Sequence, residues 1–496
     1  MYKNKFLLLS LWGVICAPAL AQQALPENRP FSPDEQVQGR ETLVNFKPNF
    51  HRTSPTENQP TTVVAAHDLL TQPELLTRLL ISSLYKNDAK GVSLLLPLYQ
   101  QLPTQDPVLL RWAQAMEARR TGNLPQSVAL YRQVIAQRSD LTMARLQLAV
   151  ALRDNQENEA AKDQFERVDT EVRAPELKAI IQQYREDLAQ RDDWRFDGYV
   201  TYLKEDNVNN APKSHVNADG WKPSSRAEKA QGVGYGVSTA KKWSLAEGYF
   251  ISFESNASGK YYWDNRKYNE FSLRGDLGVG HRNAKHEIQF APFAEQYWYA
   301  NGEQGSEKGT LHRYSFATGL NLQWDYWLSS QWRYMAQGEY AKQNYTKRKD
   351  LTGNYVLLSN SLFYFASSQQ YFGLGVDYYA KNAQREANSF QRYSARFVWG
   401  QEWWKGISSR LQLSYAKRYY EKALWNQDYG LIKAPAFYLT PQKNTEYGVS
   451  LTLWHRSFHF YGITPKITWS YDNVKSNNPL VEYDKHRVYL NFSKTF

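Results

Sequence analysis

From residue 194 to residue 496, apolar residues return at every second position in one segment after another, and nothing else in the chain constrains its fold so strongly. In 392–402, Tyr393, Ala395, Phe397 and Trp399 take one face. Arg392, Ser394, Arg396, Gly400 and Glu402 take the other. In 447–454, Tyr447, Val449, Leu451 and Leu453 oppose Gly448, Ser450 and Thr452. In 463–472, Ile463, Ile467, Trp469 and Tyr471 oppose Thr464, Lys466, Thr468, Ser470 and Asp472. A period of two is the signature of strands with two unlike faces. No convincing helical period interrupts these 303 residues, which hold fourteen of the 16 Trp and 30 of the 35 Tyr.

The pattern predicts fourteen strands, near 194–204, 231–242, 248–258, 268–281, 286–299, 310–324, 330–344, 353–366, 370–382, 389–404, 408–421, 442–455, 462–475 and 484–496. A soluble sandwich also alternates, with its apolar face inward. Four features favour a transmembrane barrel instead. The strand number is even. Turns after even strands are short (283–285, 367–369), while those after odd strands are longer and polar (205–230, 422–441). Each strand is long enough to cross a tilted apolar band, and aromatics crowd the strand ends as an interfacial girdle requires. The last strand places Val488, Leu490, Phe492 and Phe496 on one face, resembling the C-terminal signal read by the outer-membrane assembly machinery, with Lys494 as a departure. This last strand and the first, which carries Trp194 and Phe196, would meet at the seam that closes the barrel.

Fourteen strands enclose a lumen wider than side chains alone fill. Arg274, Asp276, Arg333, Gln337, Glu339, Arg392, Arg396, Glu402, Arg410 and Lys466 point into it by the same alternation. Two readings stand side by side: these groups pair and solvate the wall, or Arg274, Arg333, Glu339, Arg392, Arg396 and Glu402 contact polar cargo.

The chain before residue 194 is organised differently. Residues 1–21 have the form of a secretory signal: Lys3 and Lys5, an apolar stretch over 6–16, and small residues Ala19 and Ala21 where signal peptidase reads, with cleavage expected after Ala21. The single cysteine, Cys16, lies in that signal, so the mature chain is expected to hold no thiol and no disulfide framework. Residues 22–65 are polar and studded with proline, and read as a flexible lead. Helical patterning fills 66–193. Ala115, Gly122, Ser127, Tyr131 and Val134 have tetratricopeptide spacing: small, turn glycine, small, aromatic, apolar. Thirty-four positions on stand Ala149, Gln156, Ala161, Phe165 and Val168, a second copy that departs only at Gln156. Stable arrays need about three repeats, so the helical pair over 69–103 is expected to supply the first layer. Such arrays present a concave groove to peptide or protein, and the domain reads as a binder.

No Gly-x-Ser-x-Gly elbow or gathered nucleophile, base and orienter appears. His455 and His459 flank a strand end and are weak zinc candidates. Gly232, Gly234 and Gly236 alternate along a strand and read as small lumen-facing residues. The formal net charge is +11, but the basic residues are scattered along an envelope-directed chain, which argues against nucleic acid.

Specific strings then narrow the field: EDNVNNAP at 205–212, WGQEW at 399–403, KRYYEK at 417–422, LWHR at 453–456, GITP at 462–465 and NFSKTF at 491–496. In their order and placement over 70–496, these closely resemble the surface lipoprotein assembly modulator (Slam) family of the type XI secretion system. The resemblance implies a periplasmic tetratricopeptide-like helical domain followed by a 14-stranded outer-membrane β-barrel. It implies export across the outer membrane of a surface lipoprotein or of a soluble secreted haem- or iron-acquisition protein. The helical domain would engage cargo or periplasmic chaperones and the barrel would conduct. No cofactor or nucleotide is implied. The alternatives are a passive porin with a helical tether and, with no supporting constellation, a lipid enzyme.

Overall fold

The computed structural model describes residues 69–212, 226–302, 305–367, 369–425, 435–455, 457–458, 460 and 463–495. The predicted signal with Ala19 and Ala21, the lead over 22–65, His459 and Phe496 lie outside the described residues.

Among the described residues seven helices come first: α1 (Pro73–Tyr85), α2 (Ala89–Tyr99), α3 (Pro107–Arg120), α4 (Leu124–Gln137), α5 (Thr142–Asp154), α6 (Asn158–Glu171) and α7 (Pro175–Arg191). Proline opens α1, α3 and α7, where its missing N–H costs nothing. Asp106 caps α3, its Oδ1 accepting from the backbone N–H of Val108 at 2.7 Å and of Leu109 at 3.3 Å. The helices stack as three antiparallel pairs closed by α7. Ala115, Tyr131, Ala149, Ala161 and Phe165 are all fully buried. The alanines let the paired helices approach, and each aromatic fills the space left beside them. Phe165 stacks on Tyr184 of α7 at 5.1 Å, which seals the end of the array. Helix α5 is the centre of the stack, buried without a break from Ala144 to Arg153. Gly122 turns the chain between α3 and α4 with φ +82°. Gln156, at the matching turn, takes φ +66° without being glycine.

The strands are β1 (Arg195–Glu205), β2 (Ala230–Ser244), β3 (Tyr249–Tyr262), β4 (Glu270–Arg282), β5 (His286–Tyr299), β6 (His312–Trp327), β7 (Trp332–Tyr345), β8 (Gly353–Ser367), β9 (Gln370–Ala383), β10 (Phe390–Glu402), β11 (Ile407–Tyr420), β12 (Lys443–His455), β13 (Thr464–Ser476) and β14 (Tyr483–Thr495). Each pairs antiparallel with its neighbour in sequence, and β1 pairs with β14 to close a barrel. All fourteen expected strands form. The tenth ends at Glu402, short of the expected residue 404, because Lys405 and Gly406 adopt φ +58° and +85° in the tight turn to β11. The closing seam runs from Asp197↔Thr495 to Glu205↔Arg487. Phe196 lies beyond that ladder and pairs with Thr239 of β2. Trp194 precedes β1 and packs in an aromatic group with Phe196, Trp243 and Phe253.

Faces alternate as the sequence predicts. Leu277, Val279, Leu374 and Val376 point outward and are well exposed, Leu374 at 62%. Inward positions are mostly polar: Arg333, Gln337, Glu339, Ser359 and Arg396 are all buried. No helix among the described residues is long and apolar enough to cross a membrane. The exposed apolar band belongs to strands, each 11 to 16 residues long, the span a tilted crossing needs. Gly236 faces the lumen under Tyr199, where a Cβ would meet the tyrosine ring at 2.4 Å. Glycine on β2 therefore lets a β1 ring lie flat against the wall.

Candidate functional site

The lumen wall is built from charges that lean across strands. Arg274 on β4 donates to Asp276 at 2.9 Å and to Glu339 on β7 at 3.0 Å, while its guanidinium lies 3.7 Å above the Phe293 ring on β5. Glu339 also accepts from the Tyr355 hydroxyl on β8 at 2.6 Å. Three strand spacings of about 4.8 Å separate β4 from β7, so this chain of contacts stands inside the curve of the wall. Arg396 on β10 forks onto Asp377 of β9 at 2.7 and 2.6 Å and reaches Ser359 and Ser361 of β8. Arg333 pairs with Asp325 in the same forked way. Arg392 and Arg418 share Glu446 of β12, each at 2.9 Å. Paired carboxylates and guanidinium groups satisfy each other's hydrogen bonds where water is scarce.

Of the six candidate cargo contacts, five (Arg274, Arg333, Glu339, Arg392 and Arg396) are therefore tied into this lattice. Glu402 is half-buried at the end of β10. Alternation found Arg274 together with its partners Asp276 and Glu339, but not the carboxylates that hold the other inward cations. Asp325, Asp377 and Glu446 are paired through strand register and side-chain lean, which periodicity does not encode. Among the described residues no three His, Cys, Asp or Glu side chains gather as a metal site. His455 closes β12 and accepts a hydrogen bond from the Ser457 N–H through Nδ1 at 3.2 Å.

The helical domain is docked on one end of the barrel, beside the short turns. Asp192, just after α7, accepts from the Ser244 hydroxyl at 2.6 Å, from the Ser244 N–H at 3.1 Å and from Arg282 at 3.2 Å. Ser244 ends β2 and Arg282 ends β4. Asn158, at the start of α6, adds a contact to Ser244 at 3.4 Å and accepts from Arg191 at 3.2 Å. Burial at this junction lowers the Arg191 guanidinium from its ordinary range, opposed by the nearby Asp187 carboxylate. A crevice of about 270 Å³ lies beside the clamp, between Pro125, Arg132 and Glu157 of the helical domain and Glu247, His281 and Arg282 of the barrel. No motif marks Asp192 as a docking residue. The only signal for it is its position between the last helix and the first strand.

Comparison with known proteins agrees with both halves of the architecture. The family described as "Surface lipoprotein assembly modifier" matches residues 194–496, and its "N-terminal TPR repeats" match 62–165. A surface lipoprotein assembly modifier of Pasteurella multocida (strain Pm70) is 47% identical over 494 residues, covering 99% of this chain and 96% of its own. Surface lipoprotein assembly modifier 1 of Haemophilus influenzae (strain ATCC 51907 / DSM 11121 / KW20 / Rd) is 41% identical over 499 residues, covering 100% and 99%. The hemophilin secretion modulator of Acinetobacter baumannii is 22% identical over 507 residues, covering 96% and 94%.

Proposed function

From the premise that the chain belongs to the surface lipoprotein assembly modifier family of the outer membrane, we propose that it translocates specific protein cargo from the periplasm to the cell surface. The leader over 1–21 would direct the chain to the envelope and leave by cleavage after Ala21. The outer-membrane assembly machinery would read β14 and insert the barrel into outer-membrane lipid. The helical array would hold unfolded cargo, received from periplasmic chaperones, at the barrel mouth. The chain would then pass through the lumen, or through the β1–β14 seam where Val488, Leu490 and Phe492 lie opposite Lys204, Tyr202 and Val200. Cargo is a surface lipoprotein or a soluble secreted protein. The names of the relatives support both kinds. With no nucleotide in the periplasm, folding of cargo outside would supply the drive.

One observation carries this reading: the Asp192–Ser244–Arg282 clamp fixes a peptide-binding type of array directly beside the barrel opening. A mere tether has no need of such docking. Deleting residues 69–190 tests the proposal. Surface display of cargo should fall to background while the barrel still assembles, judged by its heat-modifiable migration on gels. Normal display from the deletion would sink the proposal.

A further inference from the structure

We propose that, on the β1–β8 side of the barrel end opposite the helical domain, lumen-facing tyrosines packed beneath the β3–β4 and β7–β8 loops form a gate that bars small solutes until a polypeptide displaces those loops. The proposal rests on the barrel being a conduit, but its first test does not read export.

Tyr262 ends β3, Tyr299 ends β5 and Tyr345 ends β7, all at positions that alternation directs inward. Tyr314 on β6 joins them for another reason. Across β5 and β6 the register shifts between Tyr297 and Trp298: Ser315 pairs with Tyr297 and Arg313 with Trp298, leaving Tyr314 as the extra residue. Simple alternation would set Tyr314 on the lipid side with Phe316 and Leu320, both exposed. A bulge re-aims a side chain in this way. Inside, Tyr314 meets Tyr299 at 5.5 Å and 80°, Tyr345 at 5.5 Å and 83°, and Tyr297 at 5.9 Å and 77°. These are edge-to-face contacts, the favoured geometry for ring pairs. Lys381 on β9 donates to the Tyr345 oxygen at 2.9 Å, and Tyr262 donates to Glu205 on β1 at 2.8 Å.

Rings on the wall of a wide, water-filled pore would be wet. Here Tyr262 is 1% exposed and Tyr345 6%. The rings cover one another, and neighbouring strands and loops supply the rest of the cover. Leu351 in the β7–β8 loop and Tyr268 in the β3–β4 loop are buried in the same apolar cluster, together with Leu203 and Ala230. Polar pins hold the loops down. Asp350 accepts from Asn388 at 2.9 Å, and its backbone oxygen accepts from the Arg385 N–H at 3.0 Å. Glu228 accepts from Lys267 at 2.9 Å and from Asn265 at 3.0 Å. These pins join loop to loop. The loops can leave without breaking a strand ladder, which makes this a gate and not a wall.

The full-length protein in planar bilayers, with potassium chloride as the probe, tests the idea. Wild type should conduct close to the bare-bilayer level. Tyr314→Ala/Tyr345→Ala/Leu351→Ala should conduct several-fold more and should sensitise cells to a large antibiotic that the outer membrane excludes. Leu351→Ala alone lies in a turn outside the strands, so it removes cover without touching a ladder and should show a smaller rise. An open wild-type channel, or a Leu351→Ala barrel of normal heat-modifiable migration that conducts no more than wild type, overturns the gate. Export lost in the 69–190 deletion with conductance unchanged by the gate variants would reject the gate and keep the conduit. The opposite pattern would reject the conduit and keep the gate.

Discussion

Across Trp194 the rule for what is buried inverts. In the helical domain the inside is chiefly apolar, with Leu76, Leu80, Tyr131, Phe165 and Ile181 at its centre and a few buried polar groups such as Gln147 among them. In the barrel the inside is Arg333, Gln337, Glu339 and Arg396, while Leu277, Leu374 and Val376 face out. One chain obeys both rules because its two halves meet different solvents. Water drives apolar groups together in the first half. In the second, lipid accepts apolar groups, and the backbone hydrogen bonds that lipid cannot satisfy close on themselves in the barrel. A chain polar on average can therefore carry a large apolar surface, provided its polar partners line the lumen behind that surface.

The sharpest way to break this inversion is to damage the interior on each side of it, by stranding a charge in the barrel and emptying an apolar site in the helical domain. Asp377→Ala leaves the buried Arg396 guanidinium without its carboxylate and should destabilise the barrel by about 3–5 kcal/mol. Phe165→Ala empties a fully buried site beside Tyr184 and should cost the helical domain about 3–5 kcal/mol as a cavity. Losses of similar size would come from opposite chemistry. Denaturant unfolding in lipid vesicles measures both, with tryptophan fluorescence for the barrel and circular dichroism for the helices. A negligible loss for Asp377→Ala would show that the lumen hydrates Arg396 freely.

A second pair of substitutions sets the two outer surfaces against each other. Leu374→Arg places a charge on the lipid face and should cost about 2–4 kcal/mol near the membrane midplane. Leu94, at 75%, is more exposed than Leu374, yet Leu94→Arg should change stability by no more than about 0.5 kcal/mol, as surface changes in water do. Equal effects at the two sites would contradict the assignment of solvents.

Much of this arrangement is legible in the sequence, and the limits have physical causes. Strand positions follow from the period of two, and the repeat follows from residues 34 apart, because both are local. The ion-pair lattice is not local. Arg396 meets Asp377 through the register of β9 on β10, and Arg392 reaches Glu446 across β11, so alternation shows a charge facing inward without showing its partner. Tyr314 is harder still, since a single extra residue flips its face and the flanking pattern gives no warning. The docking of the two halves rests on Asp192, a lone carboxylate with no motif around it.

That junction yields the third prediction, smaller in energy and larger in consequence. Asp192→Ala removes three contacts, those to the Ser244 hydroxyl, the Ser244 N–H and Arg282. Hydrogen bonds to a charged group are each worth about 1.5–3 kcal/mol where water is excluded, and less at this partly exposed site. Neither half should unfold. The helical domain should instead undock, seen as faster proteolysis between α7 and β1 with the barrel still intact. Cargo display should fall with it. Unchanged cleavage would show that the remaining contacts, Asn158 to Ser244 among them, suffice to hold the domains together.

The smallest effects lie within the repeat itself, where two copies solve one turn with different residues. Gly122 and Gln156 both sit at positive φ, +82° and +66°. A left-handed backbone costs a side-chain-bearing residue about 1–2 kcal/mol. No atom lies within 4 Å of where a Cβ at Gly122 would stand, so Gly122→Ala should lose about 1 kcal/mol for backbone reasons alone. The reverse change, Gln156→Gly, relieves that strain but adds about 0.4–1 kcal/mol of unfolded-chain freedom. It also removes the Gln156 oxygen that accepts from Arg191 at 3.4 Å. The opposing contributions nearly cancel, so the net change should stay within about 0.5 kcal/mol. Thermal unfolding of the two variants should therefore separate: a clear drop for the first, almost none for the second. If Gln156→Gly instead destabilised the array as much as Gly122→Ala, the Gln156–Arg191 contact, and not backbone geometry, would be what holds the second turn.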